Sequence, residues 1–253
     1  MWWFFFAHIK VSTLIDNQHM TTKPQHNLFE VKKTYRQFDL IAFDWDGTLY
    51  DSTAAISHAI QASVVDLGYN KPSDEKASYV IGLGLKQALA YAAPDVPPER
   101  FAELGLRYRY HFSKALDELN LFEGVLPMLN ALKATGALLA VATGKSRSGL
   151  NEVLQTMDIR GVFDGSRTAD ETKGKPDPLM LHELMDSLQV TPDRVLMVGD
   201  TSHDLGMANN AGCHSLGVSY GAHDQANLDA CHPMAVVHSV GEMQQWLLAR
   251  LQP

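Results

Sequence analysis

Short apolar runs alternating with stretches of helical spacing constrain the fold of this chain more than any other feature of its 253 residues. Phe38 to Phe43 (F-D-L-I-A-F), Ala137 to Ala142 (A-L-L-A-V-A), Arg194 to Val198 (R-V-L-M-V) and Ser215 to Val218 each read as a buried strand. Unbroken apolarity of this kind suits a parallel sheet covered on both faces. Between them the spacing predicts helices from Asp51 or Ser52 to about Leu67, from Gly124 to Lys133, over Ser146 to Met157, Pro178 to Leu188 and Leu205 to Asn210, and finally over Val240 to Leu251. Such alternation implies an α/β fold, a Rossmann-like doubly wound parallel sheet.

One stretch breaks the alternation. From about Lys71 to Leu121 the pattern is helical throughout, with Pro97 and Pro98 opening a segment from Glu99 to Leu119. At about 150 residues per domain the length suits one domain with an insert. The expected organisation is therefore a leader over 1–37, a catalytic core from 38–52 and 122–253, and an inserted all-helical cap over 53–121. The leader opens M-W-W-F-F-F-A, which lacks the basic flank, length and cleavage site of a signal peptide, and Met20 offers a second translation start. No window approaches the ~18 apolar residues of a spanning helix, so no membrane partner is expected.

Composition removes further classes. Hydrophobic residues make up 45% and charged residues 20%, which excludes wholesale disorder. The net charge is −8 and no Lys/Arg run forms a phosphate-tracking surface, so no nucleic-acid partner is expected. Cys213 and Cys231 form no C-x-x-C pair; they are expected to be plain buried thiols in a reducing, cytoplasmic setting.

In doubly wound sheets ligands sit beyond the carboxyl ends of the strands. Here those positions hold Asp44 and Asp46, then Thr143 and Lys145, then Gly199 and Asp200. Phe43 to Ser52 reads F-D-W-D-G-T-L-Y-D-S, two carboxylates followed by a turn whose N–H groups could cradle an anion. Gly47 follows Asp44 too closely for an EF-hand loop. Ala142 to Ser146 (A-T-G-K-S) tempts a P-loop reading, but the required Gly five positions before Gly144 is Leu139, which leaves Thr143 offering its hydroxyl to a phosphate or capping a helix. Lys175 stands in G-K-P-D-P, and Val198 to Asp204 reads V-G-D-T-S-H-D. Asp200 suits a hard cation, Asp204 suits either that or a helix cap, and His203 is expected to be solvated.

In this order D-W-D-G-T, A-T-G-K, G-K-P-D-P and G-D-T-S-H-D resemble the haloacid-dehalogenase-like (HAD) hydrolase superfamily. The segments V-I-G-L-G-L and A-D-E-T-K-G-K-P-D-P-L-M-L look like its phosphoglycolate-phosphatase-like branch. The resemblance runs from Phe38 to the C-terminus and implies a Mg²⁺-dependent phosphatase acting on a small phosphorylated metabolite, with 2-phosphoglycolate first among candidates. It implies Asp44 as nucleophile, Asp46 as acid and base, Thr143, Gly144 and Lys175 as phosphate-binding groups, and Asp44, Asp46 (through its carbonyl) and Asp200 as metal ligands. The charges agree. A carboxylate ~4 Å from a phosphate dianion, at an effective dielectric of about 20, meets a repulsion on the order of 8 kcal/mol, and Mg²⁺ with Lys175 would reverse it. With Asp46 neutral, the set carries a net +1 to receive the dianion.

A sugar phosphomutase of the same superfamily and a non-catalytic phosphate-binding regulator are the competing readings. A monomer or small homo-oligomer is expected. Glu123 stands where relatives often carry Pro. Lys86, Arg107, Arg109 and Lys114 on the insert are read as solvated, and Tyr108, Tyr110 and Phe112 as packing residues.

Overall fold

Strand β1 (Leu40–Phe43) is fully buried and divides its side chains by alternation. Ile41 and Phe43 join one apolar cluster, Leu40 and Ala42 the other. Successive side chains on a strand point to opposite faces, so a central strand can be apolar throughout only if both faces are covered. The computed structural model, which describes residues 36–157, 159 and 161–251, meets that condition. β2 (Leu138–Thr143) and β4 (Val195–Gly199) flank β1 in parallel, with Ile41 level with Leu139 on one side and Leu196 on the other. Strands β3 (Gly165–Thr168), β5 (His214–Val218) and β6 (Val236–Val237) complete a six-stranded parallel sheet in the order β3-β2-β1-β4-β5-β6.

Four helices, α1 (Thr53–Asp66), α2 (Asp74–Tyr79), α3 (Leu85–Ala92) and α4 (Phe101–Ser113), lie between β1 and β2 in sequence and surround an apolar cluster of their own. Ile56, Ile60 and Val64 of α1 meet Leu89 and Leu104 there. Each fully buried side chain of this size contributes about 1.5–3 kcal/mol. α5 (Val125–Ala134), α6 (Arg147–Thr156) and α10 (Val240–Leu251) cover the sheet face that carries Ile41 and Phe43. α7 (Leu179–Leu188) and α8 (Ser202–Ala211) cover the other, and the short α9 (Gln225–Asp229) stands between β5 and β6. Among the described residues, no helix is long and apolar enough to cross a membrane.

The chain enters and leaves the four-helix stretch along paired backbone. Asp51 N–H donates to the Asn120 carbonyl (2.9 Å), Phe122 N–H donates to that of Leu49 (3.0 Å), and Tyr50 and Leu121 form an antiparallel bridge. That return ends α4 earlier than its spacing predicts. The helix stops at Ser113, and a 3₁₀ turn over Leu116–Glu118 turns the chain back towards Leu121. Of the expected leader, residues 1–35 lie outside the described residues. Gln37 N–H already donates to the Arg250 carbonyl (2.7 Å), and the Arg36 guanidinium to Asp39 and to the Gly136 carbonyl.

The cysteines differ from expectation: both thiols are free but only half-buried, Cys213 on the margin of the apolar cluster beneath α7 and α8. Burial still pushes the Cys213 thiol up to about 11.

Candidate active site

Asp44 leaves β1 at its carboxyl end, and Asp200 leaves the neighbouring β4 one residue beyond the position level with Asp44. Register alone therefore brings together two carboxylates separated by most of the chain. Asp44, Asp200 and Asp204 are all buried, and one oxygen from each lies within 4.8 Å of the others. Lys175 is equally buried, its Nζ 2.6 Å from Asp44 Oδ1 and 2.6 Å from Asp204 Oδ1. Burial opposes its charge, but Asp204 and Asp44 outweigh that and hold its pKa above the ordinary lysine value. Burial, reinforced by the Asp204 and Asp200 charges, pushes the Asp44 carboxyl well above the carboxylate range despite Lys175. Asp200 is pushed up to about 7 by burial and by the charge of Asp204.

Each acid is held differently. Asp200 Oδ1 accepts from the Thr48 hydroxyl (2.7 Å) and Oδ2 from the Ala222 N–H (2.8 Å). Asp204 Oδ2 accepts from the Thr201 hydroxyl (2.6 Å) and N–H (3.1 Å), a capping box that starts α8. Asp204 thus supports the start of the helix from its third position, with Thr201 as the N-cap residue, and its carboxylate also stands in the acidic group. Asp44 Oδ2 has no hydrogen-bond donor. A buried, unpartnered carboxylate oxygen facing two further carboxylates fits a hard divalent cation, whose preferred ligands are oxygens.

The turn after β1 is set by Gly47, whose φ of +87° suits glycine and whose missing Cβ leaves room for the Asp200 carboxylate. The expected anion cradle is narrower than the sequence implied. Gly47 N–H donates to the Tyr50 carbonyl (2.9 Å), leaving those of Trp45 and Asp46 for an anion. Asp46 lies beside the acidic group, its Oδ1 accepting from the Ser52 hydroxyl (2.6 Å) and lying 3.0 Å from Lys145 Nζ. Ser52, read as a helix cap, spends its hydroxyl on this acid instead. Thr143 is fully buried at the end of β2 and accepts from Lys145 N–H (3.2 Å). Gly144 meets the four-helix stretch: a Cβ there would lie 2.5 Å from the Gly82 carbonyl oxygen. The structure thus gathers Asp44, Asp46, Thr143, Gly144, Lys175 and Asp200 at one end of the sheet.

Sequence reasoning gave no role to three supports. Lys145 pairs with Asp46, and its position at a strand end was the available signal. With Asp204 and Lys145 each adding one charge of opposite sign, the net +1 expected before an incoming dianion is unchanged. Thr48 and the segment Ser219 to His223 wrap Asp200, and the Tyr220 hydroxyl donates to the Thr48 carbonyl (2.9 Å). Nothing in that loop's composition marked it.

His203 is a correction, because it is buried and not solvated. Its Nε2 lies 2.8 Å from the Tyr79 carbonyl, and Nε2 of His223 lies 3.0 Å from the same oxygen. His223 Nδ1 accepts from Ser202 N–H (3.0 Å), which fixes its proton on Nε2. Burial, with His223 nearby, lowers the His203 pKa. One carbonyl at the end of α2 thus receives two imidazole donors, one from the first turn of α8 and one from the segment after β5. Each single change, His203→Phe or His223→Phe, keeps a ring and leaves one donor, so the expected loss is about 1 kcal/mol. The double change strands a carbonyl and is expected to cost about 3 kcal/mol, more than the two single losses together, as read by urea unfolding. Strict additivity would show that the carbonyl is not shared.

A family model described as haloacid dehalogenase-like hydrolase matches residues 41–218, which span Asp44, Asp46, Thr143, Gly144, Lys175, Asp200 and Asp204. The chain belongs to the haloacid dehalogenase-like hydrolase family. Within that family, the phosphoglycolate phosphatase of Vibrio cholerae serotype O1 is 29% identical over 222 residues, covering 84% of this chain and 98% of the relative. That of Aliivibrio fischeri is 31% identical over 196 residues, 74% of this chain and 86% of the relative. Among solved structures, a predicted phosphoglycolate phosphatase from Haemophilus somnus superposes with a TM-score of 0.72 at 25% identity, covering 83% of this chain and 98% of that one. These matches run over 86% to 98% of the length of the proteins compared.

Proposed function

We propose that this hydrolase is a cytoplasmic, Mg²⁺-dependent phosphomonoesterase that works through an aspartyl-phosphate on Asp44. The observation that carries the reading is the Asp44 carboxylate. One oxygen is held by Lys175 at 2.6 Å, and the other is buried without a donor among Asp200 and Asp204. Asp44, the Asp46 carbonyl and Asp200 would hold the ion, since the oxygens of Asp204 are engaged by Thr201 and Lys175. When bound, Mg²⁺ supplies positive charge against the repulsion between Asp44 and the phosphoryl group.

The chain's own residues do the remaining work. The Asp44 carboxylate attacks phosphorus as the P–O bond to the alcohol breaks, and Asp46 gives the departing oxygen a proton. Asp46 then takes a proton from the water that hydrolyses the aspartyl-phosphate and frees phosphate. Ser52 and Lys145 hold its carboxylate facing the cavity into which the alcohol leaves. The Lys175 charge, the Thr143 hydroxyl and the N–H groups of Trp45, Asp46 and Gly144 orient the phosphoryl oxygens. Residues 53–121 act as a cap, with Gly82 set over Asp44 and Gly144.

The named relatives make 2-phosphoglycolate the first metabolite to try. Phosphate release from it and from p-nitrophenyl phosphate is expected in Mg²⁺ buffer and should fall at least about 100-fold in excess EDTA, since the ion is worth several kcal/mol. Release unaffected by EDTA would remove the metal from the reading, and no release from either ester would remove the enzyme.

A further inference from the structure

A cavity of about 890 Å³ opens beside Asp46, Gly144 and Lys145 and runs between the sheet's carboxyl end and the four-helix stretch. Asp46 lines it and Asp44 does not, so it lies on the side towards which the alcohol would depart. Pockets that enclose a drug-sized molecule run from roughly 300 to 1,000 Å³, and this one stands near the top of that range. The two carbons of glycolate would occupy a small part of it.

The lining is as uneven as the size. Ile56, Ile60, Val80, Leu85, Leu116 and Val153 form an apolar wall. Tyr108 and Phe112, neighbouring turns of α4, stack in near-parallel planes (8°, centroids 5.9 Å apart) and both line the cavity. The Lys145 ammonium sits 5.0 Å from the centre of the Phe112 ring. Asp46 Oδ1 lies 3.0 Å from that ammonium, and the exposed Lys86 and Arg109 also line the cavity. A large apolar space with an aromatic face gains from a ligand that removes that surface from water, and aromatic rings favour offset stacking against other rings.

We propose that the preferred substrate is a phosphomonoester of a primary alcohol carrying an extended, ring-bearing apolar body, placed along the Tyr108–Phe112 face. This rests on the phosphomonoesterase reading and goes beyond the two-carbon substrate named for the relatives. The reaction is unchanged: water and the ester give phosphate and the ring-bearing alcohol.

The test uses the full chain in Mg²⁺ and substrates matched in leaving group. Phosphate release is compared for 3-phenylpropyl phosphate and 2-phosphoglycolate, both primary alkyl esters, with p-nitrophenyl phosphate as a general control. Binding of their phosphonate isosteres, 4-phenylbutylphosphonate and 3-phosphonopropionate, is read by calorimetry. The ring-bearing ester should show a kcat/KM at least about tenfold higher and its phosphonate a Kd about tenfold lower. Phe112→Leu should shrink both ratios and Phe112→Tyr should restore them, with KM moving more than kcat. Turnover of the esters with no preference for the ring, or an unchanged ratio in a folded Phe112→Leu protein, overturns the proposal and leaves the phosphatase reading standing. No turnover of any ester overturns both.

Discussion

Asp44→Asn should lower phosphatase turnover by about four orders of magnitude or more while leaving the protein folded. Removing a residue that forms the covalent intermediate typically costs 10⁴–10⁶-fold, and four decades correspond to ~5.5 kcal/mol of barrier. The same change should not destabilise the metal-free chain. Asp44 shares a buried space with Asp200 and Asp204, and burial and their charges push its carboxyl well above the carboxylate range. An acid whose folded pKa is raised costs stability as pH climbs from its unfolded value through its folded one. The variant's Tm in EDTA should therefore equal or exceed that of the parent, with the larger gain at about pH 8 than at about pH 5. Substantial residual turnover would refute the covalent role, and a lower Tm at both pH values would refute the charge argument.

Lys175→Met should act in the opposite direction on stability. The methionine fills a similar volume but leaves Asp44 and Asp204 without the cation 2.6 Å from each. Removing one partner of a buried ion pair typically costs about 3–5 kcal/mol. For a chain of this length that corresponds to a fall in Tm of about 10 °C, measured without metal. Turnover should fall as well, since the same charge faces the phosphoryl group. Adding Asp44→Asn to Lys175→Met should recover part of the lost stability by removing one of the stranded carboxylates. A double variant no more stable than Lys175→Met alone would show that the two side chains do not share one electrostatic site.

The sequence made the central part of the fold legible because that part is apolar by necessity. β1, β2, β4 and β5 are buried runs, and each was visible as one. β3 was not, because Gly165, Ser166 and Arg167 form a half-exposed polar edge strand, and β6 is two residues long. α9 was hidden for the same reason: it is a five-residue helix capped by Asp224, with only Leu228 buried.

Motif order grouped Asp44, Asp46, Thr143, Lys175 and Asp200, and the register of β1, β2 and β4 brings the strand-end residues among them together. The helpers were harder to read. Lys145 was placed at a strand end without a role and His203 was read as solvated, since what distinguishes them is a partner from distant sequence: Asp46 for the lysine and the Tyr79 carbonyl for the histidine. Pairwise burial of that kind leaves no periodic trace.

The paired backbone at Asp51–Asn120 and Leu49–Phe122 carries one more implication. Its two arms are hydrogen-bonded neighbours, so whatever is spliced between them, long or short, starts and finishes at the same spot. Swapping the whole stretch for that of a relative should then alter which molecules are admitted while leaving the chemical machinery beneath in register, which makes this junction a natural graft point for respecifying the enzyme.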